Sequence, residues 1–326
     1  YWVPSDEFVL DGAFSILHGQ QDVPQSMRTR QNALVLSDDD PLDLAGDDDN
    51  FSGDELRTAT FDNTAQTAVL LRESIAGACR IDPLVEVPEV LFEDGTVALP
   101  AEAIDLAAAC DVLDAWDGRF DLDSAGAVLW RETMTRFPAA SFDNAGALFS
   151  EPFDPARPTV TPAGFTTDPT LVRQALARAV QTITKAGFTV DATMGAAQVT
   201  ERSDERIPLH GGTNTDGVTN IVSWSELSSS SEEAPTRGDL ITPNGELRGD
   251  GYPVNFGTSF VMVVDYSSGA PEATAILTYG NTGLRDSEVF SSQTTRFSDK
   301  NWRTVAFTEE QIAADLNTTE RVIREP

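Results

Sequence analysis

The spacing of apolar residues changes near residue 190, and this change constrains the fold more than any other feature of the sequence. Before it, apolar residues recur every three to four positions, as they do on one face of a helix. After it, apolar and polar residues tend to alternate, which is typical of half-buried strands. Helices followed by strands indicate an α+β protein, with residues 1–190 mainly helices and loops and residues 191–326 mainly strands.

Two segments of the first part carry signals for helix ends. Ser52 followed by Glu55 forms a capping box, which predicts a helix from there to about residue 79. Asp168-Pro169 begins the segment PTLVRQALARAVQTITKAG, with proline at the first helical position and Gly187 at the end. We therefore expect a helix over each of these stretches.

Other segments give predictions from spacing alone. AEAIDLAAACDVLDAW (101–116) has helical spacing throughout, whereas residues 85–100 are expected to form a loop with a short hairpin at Asp94-Gly95. Residues 1–36 mix proline, glycine and aromatic residues, and we expect irregular structure there. Strands are expected at 205–209, 218–224, 254–265 (buried on both faces) and 272–279, followed by a short helix at FTEEQIAADL and a last strand at ERVIRE.

The charge of the chain excludes some classes of protein. The formal net charge is −31, so phosphate backbones are repelled and nucleic-acid binding is disfavoured. No run of about 18 apolar residues exists, so no membrane span is expected. The aspartate-rich run SDDDPLDLAGDDDN (37–50) lacks the ligand spacing of an EF-hand and is interpreted as a solvated loop.

The stretch DAWDGRFDLDSAGAVLW (114–130) resembles a metal-binding loop at first sight. No register places acidic residues at the first, third and fifth positions with glycine at the sixth, so a calcium site is rejected. A structural role is expected instead: Trp116 packs, Asp123 or Ser124 caps the following helix, and Gly126-Ala127 let that helix lie close to its neighbours.

The two histidines give no sign of a catalytic triad. A serine, histidine and aspartate set would need His18 or His210, and no GxSxG motif accompanies either of them. The segment HGGTNTDG (210–217) is glycine-rich, but it lacks the lysine of a phosphate-binding loop and precedes no predicted helix. We interpret it as a turn.

Cys79 and Cys110 are the two cysteines of the chain. They form no CxxC pair, which argues against a zinc site. They are either two buried thiols or one disulfide that closes a loop of about 30 residues and adds roughly 3 kcal/mol of stability. A disulfide would indicate an oxidising compartment.

The chain opens with YWVPSDEF, without methionine and without a basic and apolar leader. We expect it to be a mature or trimmed piece of a longer product.

Several motifs resemble the β-subunit of the penicillin amidase family of N-terminal-nucleophile hydrolases. WDGRFDLDSAGAVLWRETMTRF (116–137) is similar to a helical segment of that subunit, and the other motifs occur in the same order as in the family. The loop HGGTNTDGVTNIVS points to the branch of acyl-homoserine-lactone and cyclic-lipopeptide acylases. The remaining motifs are YWVPSDEF, SMRTRQ (26–31), GTSFVMVVD (257–265) and the segment 277–302.

The resemblance implies that the whole chain, 1–326, is one partial domain from the C-terminal part of a β-subunit. The family fold is a four-layer αββα sandwich, of which this chain would supply several strands and covering helices. Its nucleophile is a serine at the start of the β-subunit, and an asparagine side chain helps to stabilise the oxyanion. Both would lie outside this chain, so the partners implied are the α-subunit and the N-terminal part of the β-subunit.

The resemblance also assigns roles to individual residues. Arg28 matches an arginine that supports the active site, with Arg30 as the alternative register. Asp6 matches a carboxylate that binds a structural calcium ion in some members. Cys79 and Cys110 match the positions of a disulfide in secreted relatives. No cofactor is implied for catalysis.

The function implied is that of a secreted or periplasmic acylase, which removes a fatty acyl chain from the amide of an acyl-homoserine lactone or a lipopeptide. A β-lactam acylase and a non-catalytic structural homologue remain as alternatives. The tail segment from Asn281 to Gln293 departs from the usual family pattern, and no substrate contact is assigned to it.

Overall fold

The computed structural model describes residue 17 and residues 23–36, 43–48, 50–138, 142, 148–202, 205–225, 238–280 and 282–315. Helices and short strands alternate more than the sequence pattern indicates, because four strands lie before residue 190. The helices are α1 (Met27–Val35), α2 (Gly53–Thr60), α3 (Gln66–Cys79), α4 (Ala107–Ala115), α5 (Ala127–Met134), α6 (Pro169–Lys185), α7 (Met194–Ala197), α8 (Ser292–Ser298) and α9 (Glu309–Asp315), with a short 3-10 helix at Gly46–Asp48.

The strands pair in small sheets of two or three. The sheets are β1 (Leu84–Val87) with β4 (Glu102–Asp105); β2 (Val90–Leu91) with β3 (Val97–Leu99); β6 (Glu205–Pro208), β5 (Gln198–Arg202) and β8 (Tyr252–Pro253); β7 (Val222–Ser223) with β9 (Phe256–Gly257); and β10 (Phe260–Asp265), β11 (Glu272–Leu277) and β12 (Arg303–Val305). All pairs are antiparallel except β5 with β8. The mixture of helices and mainly antiparallel strands agrees with the α+β class, whereas the four-layer sandwich stays a prediction.

Helix α6 confirms the clearest helical prediction. The Asp168 side chain accepts a hydrogen bond from the Thr170 amide at 2.8 Å, and Pro169 is the first helical residue. The apolar face of the helix is fully buried and packs against α3 and α5. Its signals are local, which is why the sequence alone identifies both ends.

The predicted helix from the capping box to residue 79 is divided in two. The capping box itself is present, with the Ser52 amide donating to Glu55 Oε2 at 2.7 Å. The helix ends at Thr60 because the next residues, Asp62 and Asn63, turn into the interior and bond to other parts of the chain. Aspartate and asparagine side chains often interrupt helices in this way.

Residues 102–105 form a strand, so the helix predicted over 101–116 begins too early. Strand β4 pairs with β1, with Ile104 opposite Val85. The Asp105 side chain then accepts from the Ala107 amide at 2.9 Å, where α4 starts. The hairpin at Asp94-Gly95 is confirmed by the pairing of β2 with β3.

Glycine 126 is the N-terminal cap residue of α5, which corrects the expected cap at Asp123 or Ser124. Its φ is +107°, and a Cβ there would lie 2.9 Å from the Cβ of Trp116. The glycine therefore permits a close approach, as the sequence indicated. Trp116 is 2% exposed; its ring meets Phe120 edge-on and lies tilted against Trp130.

The first described residues are not irregular as expected. Ser26 caps α1 by accepting from the Thr29 amide at 3.1 Å, and the helix buries Met27, Arg30 and Gln31. The sequence hides this helix because the charged Arg30 lies on its buried side, where an apolar residue would mark a helical face.

The strands predicted after residue 190 are only partly right. The segment 254–265 is divided into β9 and β10, and 218–224 contributes two strand residues. Strand β10 is not buried on both faces, since Phe260 and Met262 are about half exposed and Val263 is buried. The helix in FTEEQIAADL is confirmed as α9, and the last predicted strand lies outside the described residues.

Two apolar cores lie on either side of the glycine-rich segment. The larger one is built from helices α3 to α6 and contains Trp116, Trp130 and Phe149. The smaller one joins residues in and beside the strands to Phe61, which follows α2, and to Phe297 of α8. It contains Phe61, Ile207, Leu209, Val222, Val254, Ile276 and Phe297. No helix in the described part of the chain is long and apolar enough to cross a membrane.

The disulfide between Cys79 and Cys110 is present and joins the end of α3 to α4. Both sulfur-bearing residues are at most 1% exposed, so the bond lies inside the larger core. It closes a loop with a sequence separation of 31 residues, which includes β1 to β4. The open alternative of two buried thiols is thereby excluded.

Removing this disulfide is expected to destabilise the protein. The variant carrying Cys79→Ala and Cys110→Ala should lose about 3 to 4 kcal/mol of unfolding free energy, because the unfolded chain regains the freedom of the loop. Guanidinium denaturation under oxidising conditions measures the difference, and reduced wild-type protein is the control. Unchanged denaturation midpoints in the variant would contradict the expectation.

Candidate functional site

The glycine-rich loop, residues 210–220 (HGGTNTDGVTN), lies between the helices and the strands. It follows β6, and both Gly211 and Gly217 have positive φ. A Cβ on Gly217 would lie 2.7 Å from the Cβ of Gln66 and 2.9 Å from that of Met27. The loop therefore packs directly against the start of α3 and against α1. Its interpretation as a turn is correct, but the turn is mostly buried.

A buried ion pair fixes this loop to α5. The Nε atom of Arg131 lies 3.0 Å from an Asp216 carboxylate oxygen, and both side chains are 2% exposed. That oxygen also accepts from the amide and the hydroxyl of Thr213, at 2.8 and 2.9 Å. Arg131 donates further to the Gln198 side chain at 2.6 Å. Such a pair is stable in the interior because its remaining hydrogen-bonding groups are also satisfied.

The backbone of Asp216 links the same loop to α3. Its carbonyl accepts from the amide and the hydroxyl of Thr67, at 3.3 and 2.8 Å, in the first turn of the helix. The Gly217 carbonyl accepts from the Gln66 amide at 3.2 Å. These amides have no acceptor within the helix, so the loop completes the helix end.

A second buried acid lies beside the ion pair. Glu132 accepts from the Tyr252 hydroxyl at 2.7 Å and from Arg136 at 2.9 Å. Burial raises the pKa of Glu132 above its usual range, and burial together with the nearby Glu132 raises the pKa of Tyr252. The two groups connect α5 to β8.

His210 is a neutral structural group. Its Nε2 atom lies 2.8 Å from the Phe297 carbonyl, which only accepts, so Nε2 carries the hydrogen. Nδ1 then accepts from the Asn63 amide group at 3.0 Å. Burial, assisted by the charge of Lys300, lowers the pKa of His210 from 6.5 to about 4. Both nitrogens are occupied, so the ring is not placed as a catalytic base.

The turn of Asp62 and Asn63, between α2 and α3, bonds to the end of the glycine-rich loop at residues 219 and 220. Asp62 is 2% exposed, and one carboxylate oxygen lies 2.5 Å from Arg119. Burial raises the pKa of Asp62, and Arg119 opposes that effect. Asn63 donates to Asp121 at 2.6 Å and accepts from the Asn220 side chain at 3.2 Å.

Asp121 belongs to the aspartate-rich stretch that resembles a metal loop. Lys300 lies 2.5 Å from its carboxylate. Burial raises its pKa, but hydrogen bonds from Lys300 and Asn63 outweigh burial and leave the pKa below its usual value. Among the described residues no group of three or more histidine, cysteine or acidic side chains is placed to hold a metal ion.

The two candidate arginines of α1 point to different parts of the protein. Arg28 is half-buried and donates from Nε to the Thr219 carbonyl at 2.9 Å. Burial lowers the pKa of Arg28. Arg30 is buried and donates to the Pro162 carbonyl at 2.7 Å. The structure thus brings Arg28, and not Arg30, to the glycine-rich loop, and its role in catalysis stays a prediction. Asp6 and His18 lie outside the described residues.

Sequence reasoning missed Arg131 and Asp216 as a pair. Arg131 and Glu132 are the two charged residues of the helix AVLWRETM, which is buried along its whole length. Adjacent charges in an otherwise buried helix are a usable signal for an internal ion pair. The partner is 85 positions away, and spacing cannot identify it.

Comparisons with known proteins agree on one family. The family model for penicillin amidase matches residues 4–314. The chain is 33% identical to aculeacin-A acylase from Actinoplanes utahensis over 324 residues, which are 97% of this chain and 35% of that protein. It is 28% identical to the acyl-homoserine lactone acylase PvdQ from Pseudomonas syringae over 329 residues, 99% of this chain and 36% of that protein. The chain thus spans about a third of the length of these curated relatives.

A solved structure is also similar, at a lower level. In a thermostable penicillin G acylase from Alcaligenes faecalis, the matched region covers 85% of this chain and 50% of that chain, with 14% identity and a TM-score of 0.38.

Removing the charge of Asp216 is expected to be strongly destabilising. Asp216→Asn leaves Arg131 buried without its paired carboxylate, which costs about 3 to 5 kcal/mol of unfolding free energy. The matched control is Asp114→Asn, whose partner Arg80 is exposed, and there the loss should be at most about 1 kcal/mol. Urea denaturation of both variants provides the comparison, and similar losses in the two would contradict the burial argument.

The neutral His210 predicts a pH dependence of stability. Between about pH 6.5 and 4 the unfolded chain binds a proton at this histidine and the folded protein does not, so the unfolding free energy falls as the pH falls. The full effect is on the order of 3 kcal/mol. In His210→Gln the amide preserves one donor and one acceptor, and the loss of stability over this range should be smaller. Equal pH dependence in both proteins, measured by chemical denaturation, would show that His210 does not contribute.

Proposed function

Because the chain belongs to the penicillin amidase family, we propose that it is part of an acylase that removes a fatty acyl chain from the amide of an acyl-homoserine lactone or a lipopeptide. The observation that carries this proposal is the similarity along 97% and 99% of the chain to two acylases, one of aculeacin A and one of acyl-homoserine lactones. Both relatives are acylases, which supports amide hydrolysis as the reaction class; the reaction and the substrate are both part of the proposal.

The reaction proposed uses a serine nucleophile outside this chain. The serine oxygen attacks the amide carbonyl while the α-amino group of the same residue takes the hydroxyl proton. The carbon–nitrogen bond then breaks, the amine leaves with that proton, and water releases the fatty acid from the acyl-enzyme. This chain would contribute Arg28 as a supporting group and the buried network that holds it.

One face of the β10–β11–β12 sheet is apolar and exposed, which supports the proposal that another chain or segment covers it. Phe260, Met262 and Val305 are 53%, 52% and 41% exposed, and they lie on the face opposite the buried Val263 and Ile276. A groove of about 430 Å³ runs along part of this face and is lined by Phe260, Leu277 and Val305.

Exposed apolar faces of this kind mark interaction sites. We propose that the α-subunit and the N-terminal part of the β-subunit cover it, since the relatives are about three times as long as this chain. The disulfide between Cys79 and Cys110 supports a secreted or periplasmic location, because such bonds persist in oxidising compartments.

The proposed function is tested with the full-length processed protein that contains this chain. It is incubated separately with a long-chain acyl-homoserine lactone, an acylated cyclic lipopeptide and penicillin G, and the released acids are measured by liquid chromatography and mass spectrometry. We expect fatty acid from at least one of the first two substrates and little phenylacetic acid from the third.

Two controls limit the interpretation. Residues 1–326 expressed alone should release no acid, and activity from this piece would contradict the proposed position of the nucleophile. Release from penicillin G alone would favour a β-lactam acylase, and no release from any substrate would favour a non-catalytic homologue.

A further inference from the structure

Arg28 is anchored at a single atom. Its Nε donates to the Thr219 carbonyl at 2.9 Å, and no described residue accepts a hydrogen bond from its two terminal nitrogens. The side chain is half-buried, and these nitrogens, which have no hydrogen-bond partner among the described residues, are partly exposed. A guanidinium held at Nε presents its terminal donors in a fixed plane.

Thr219 is itself fixed by its side chain. Its hydroxyl donates to the Asp62 carbonyl at 2.6 Å. The neighbouring Asn220 donates to the Thr60 carbonyl at 2.9 Å and to the Asn63 side chain at 3.2 Å. The peptide that binds Arg28 is therefore attached, through the side chains of Thr219 and Asn220, to the turn between α2 and α3.

Helix α1 is attached to the same turn. Gln31, one helical turn after Arg28, donates to the Asp62 carboxylate at 3.4 Å. Arg119 holds that carboxylate from the other side at 2.5 Å. The helix that carries Arg28 and the loop that binds it thus share one anchor, Asp62, which fixes their relative position.

The acceptor for Arg28 is neutral. A carboxylate at this position would hold the guanidinium equally well, but it would also compensate its charge. Burial lowers the pKa of Arg28. The bond to the Thr219 carbonyl therefore leaves the charge of Arg28 available to another group.

We propose that Thr219 is a positioning residue, whose hydroxyl bond to Asp62 directs its carbonyl to Arg28 and so aligns the terminal nitrogens of Arg28 with the reacting centre. This inference rests on the proposed acylase function and adds a residue that supports its active site. It predicts that the hydroxyl of Thr219 acts on catalysis through Arg28 alone.

The test compares three variants of the full-length processed protein. Thr219→Val has nearly the same shape without the hydroxyl, and its kcat should fall about tenfold with little change in KM, since a small misplacement of a supporting group acts on the transition state. Thr219→Ser retains the hydroxyl and should restore most of the activity. Thr133→Val, which also removes a threonine bond to a backbone carbonyl, is the control and should leave kcat unchanged.

A double-mutant cycle separates positioning from general destabilisation. Arg28→Lys lacks the planar group that bonds to Thr219, so adding Thr219→Val to it should lower kcat no further. If Thr219→Val reduces kcat by the same factor in both backgrounds, Thr219 acts independently of Arg28 and the inference is wrong.

A second measurement does not depend on activity. Phenylglyoxal modifies accessible arginines, and the rate of modification at Arg28 is followed by peptide mass spectrometry. The rate should rise in Thr219→Val and stay near the wild-type value in Thr219→Ser and Thr133→Val. An unchanged rate in Thr219→Val would overturn the inference. If the wild-type protein releases no acid but this rate still rises, the proposed function fails and the positioning of Arg28 by Thr219 stands.

Discussion

The ion pair between Arg131 and Asp216 determines how the helices meet the strands. Taking both charges out of water is unfavourable, and the pair is retained because Thr213 and Gln198 satisfy the remaining donors and acceptors. Once Asp216 is fixed, its carbonyl meets Thr67 in the first turn of α3. One buried contact thus places α5, α3 and the glycine-rich loop relative to one another, and the two apolar cores form on either side of it.

Where the helices meet the glycine-rich loop, polar contacts fix which residues lie opposite each other. Apolar packing alone would define these positions less closely. Phe61 packs into the smaller core against His210 and Phe297, while the next two residues, Asp62 and Asn63, bond across to the loop and to Arg119 and Asp121. Hydrogen bonds require particular partners at particular distances, whereas apolar side chains accept many neighbours. The turn after α2 therefore joins the smaller core to the glycine-rich loop and to residues 119–121.

The sequence predicts those elements whose ends are decided locally. Asp168-Pro169 and the capping box at Ser52 hold their helices through residues three or fewer positions away, and both are found. The strand at residues 102–105 could not be predicted from its helical spacing, because Ile104 is held by Val85 in another segment. Propensity is a weak constraint wherever a distant partner decides the structure. The division of the helix after Thr60 has the same origin.

The distant partners of the charged residues at the site likewise cannot be predicted from local sequence. The motif SMRTRQ makes Arg28 and Arg30 equal candidates for the supporting arginine, since both occupy one helical turn. Their surroundings distinguish them: Arg30 turns to Pro162, and Arg28 turns to a loop 191 positions away. The buried acids Asp62, Glu132 and Asp216 each have an arginine partner that lies in another segment or one helical turn away. A carbonyl from Thr219 holds Arg28 without using its charge, and only the folded chain brings that carbonyl into reach.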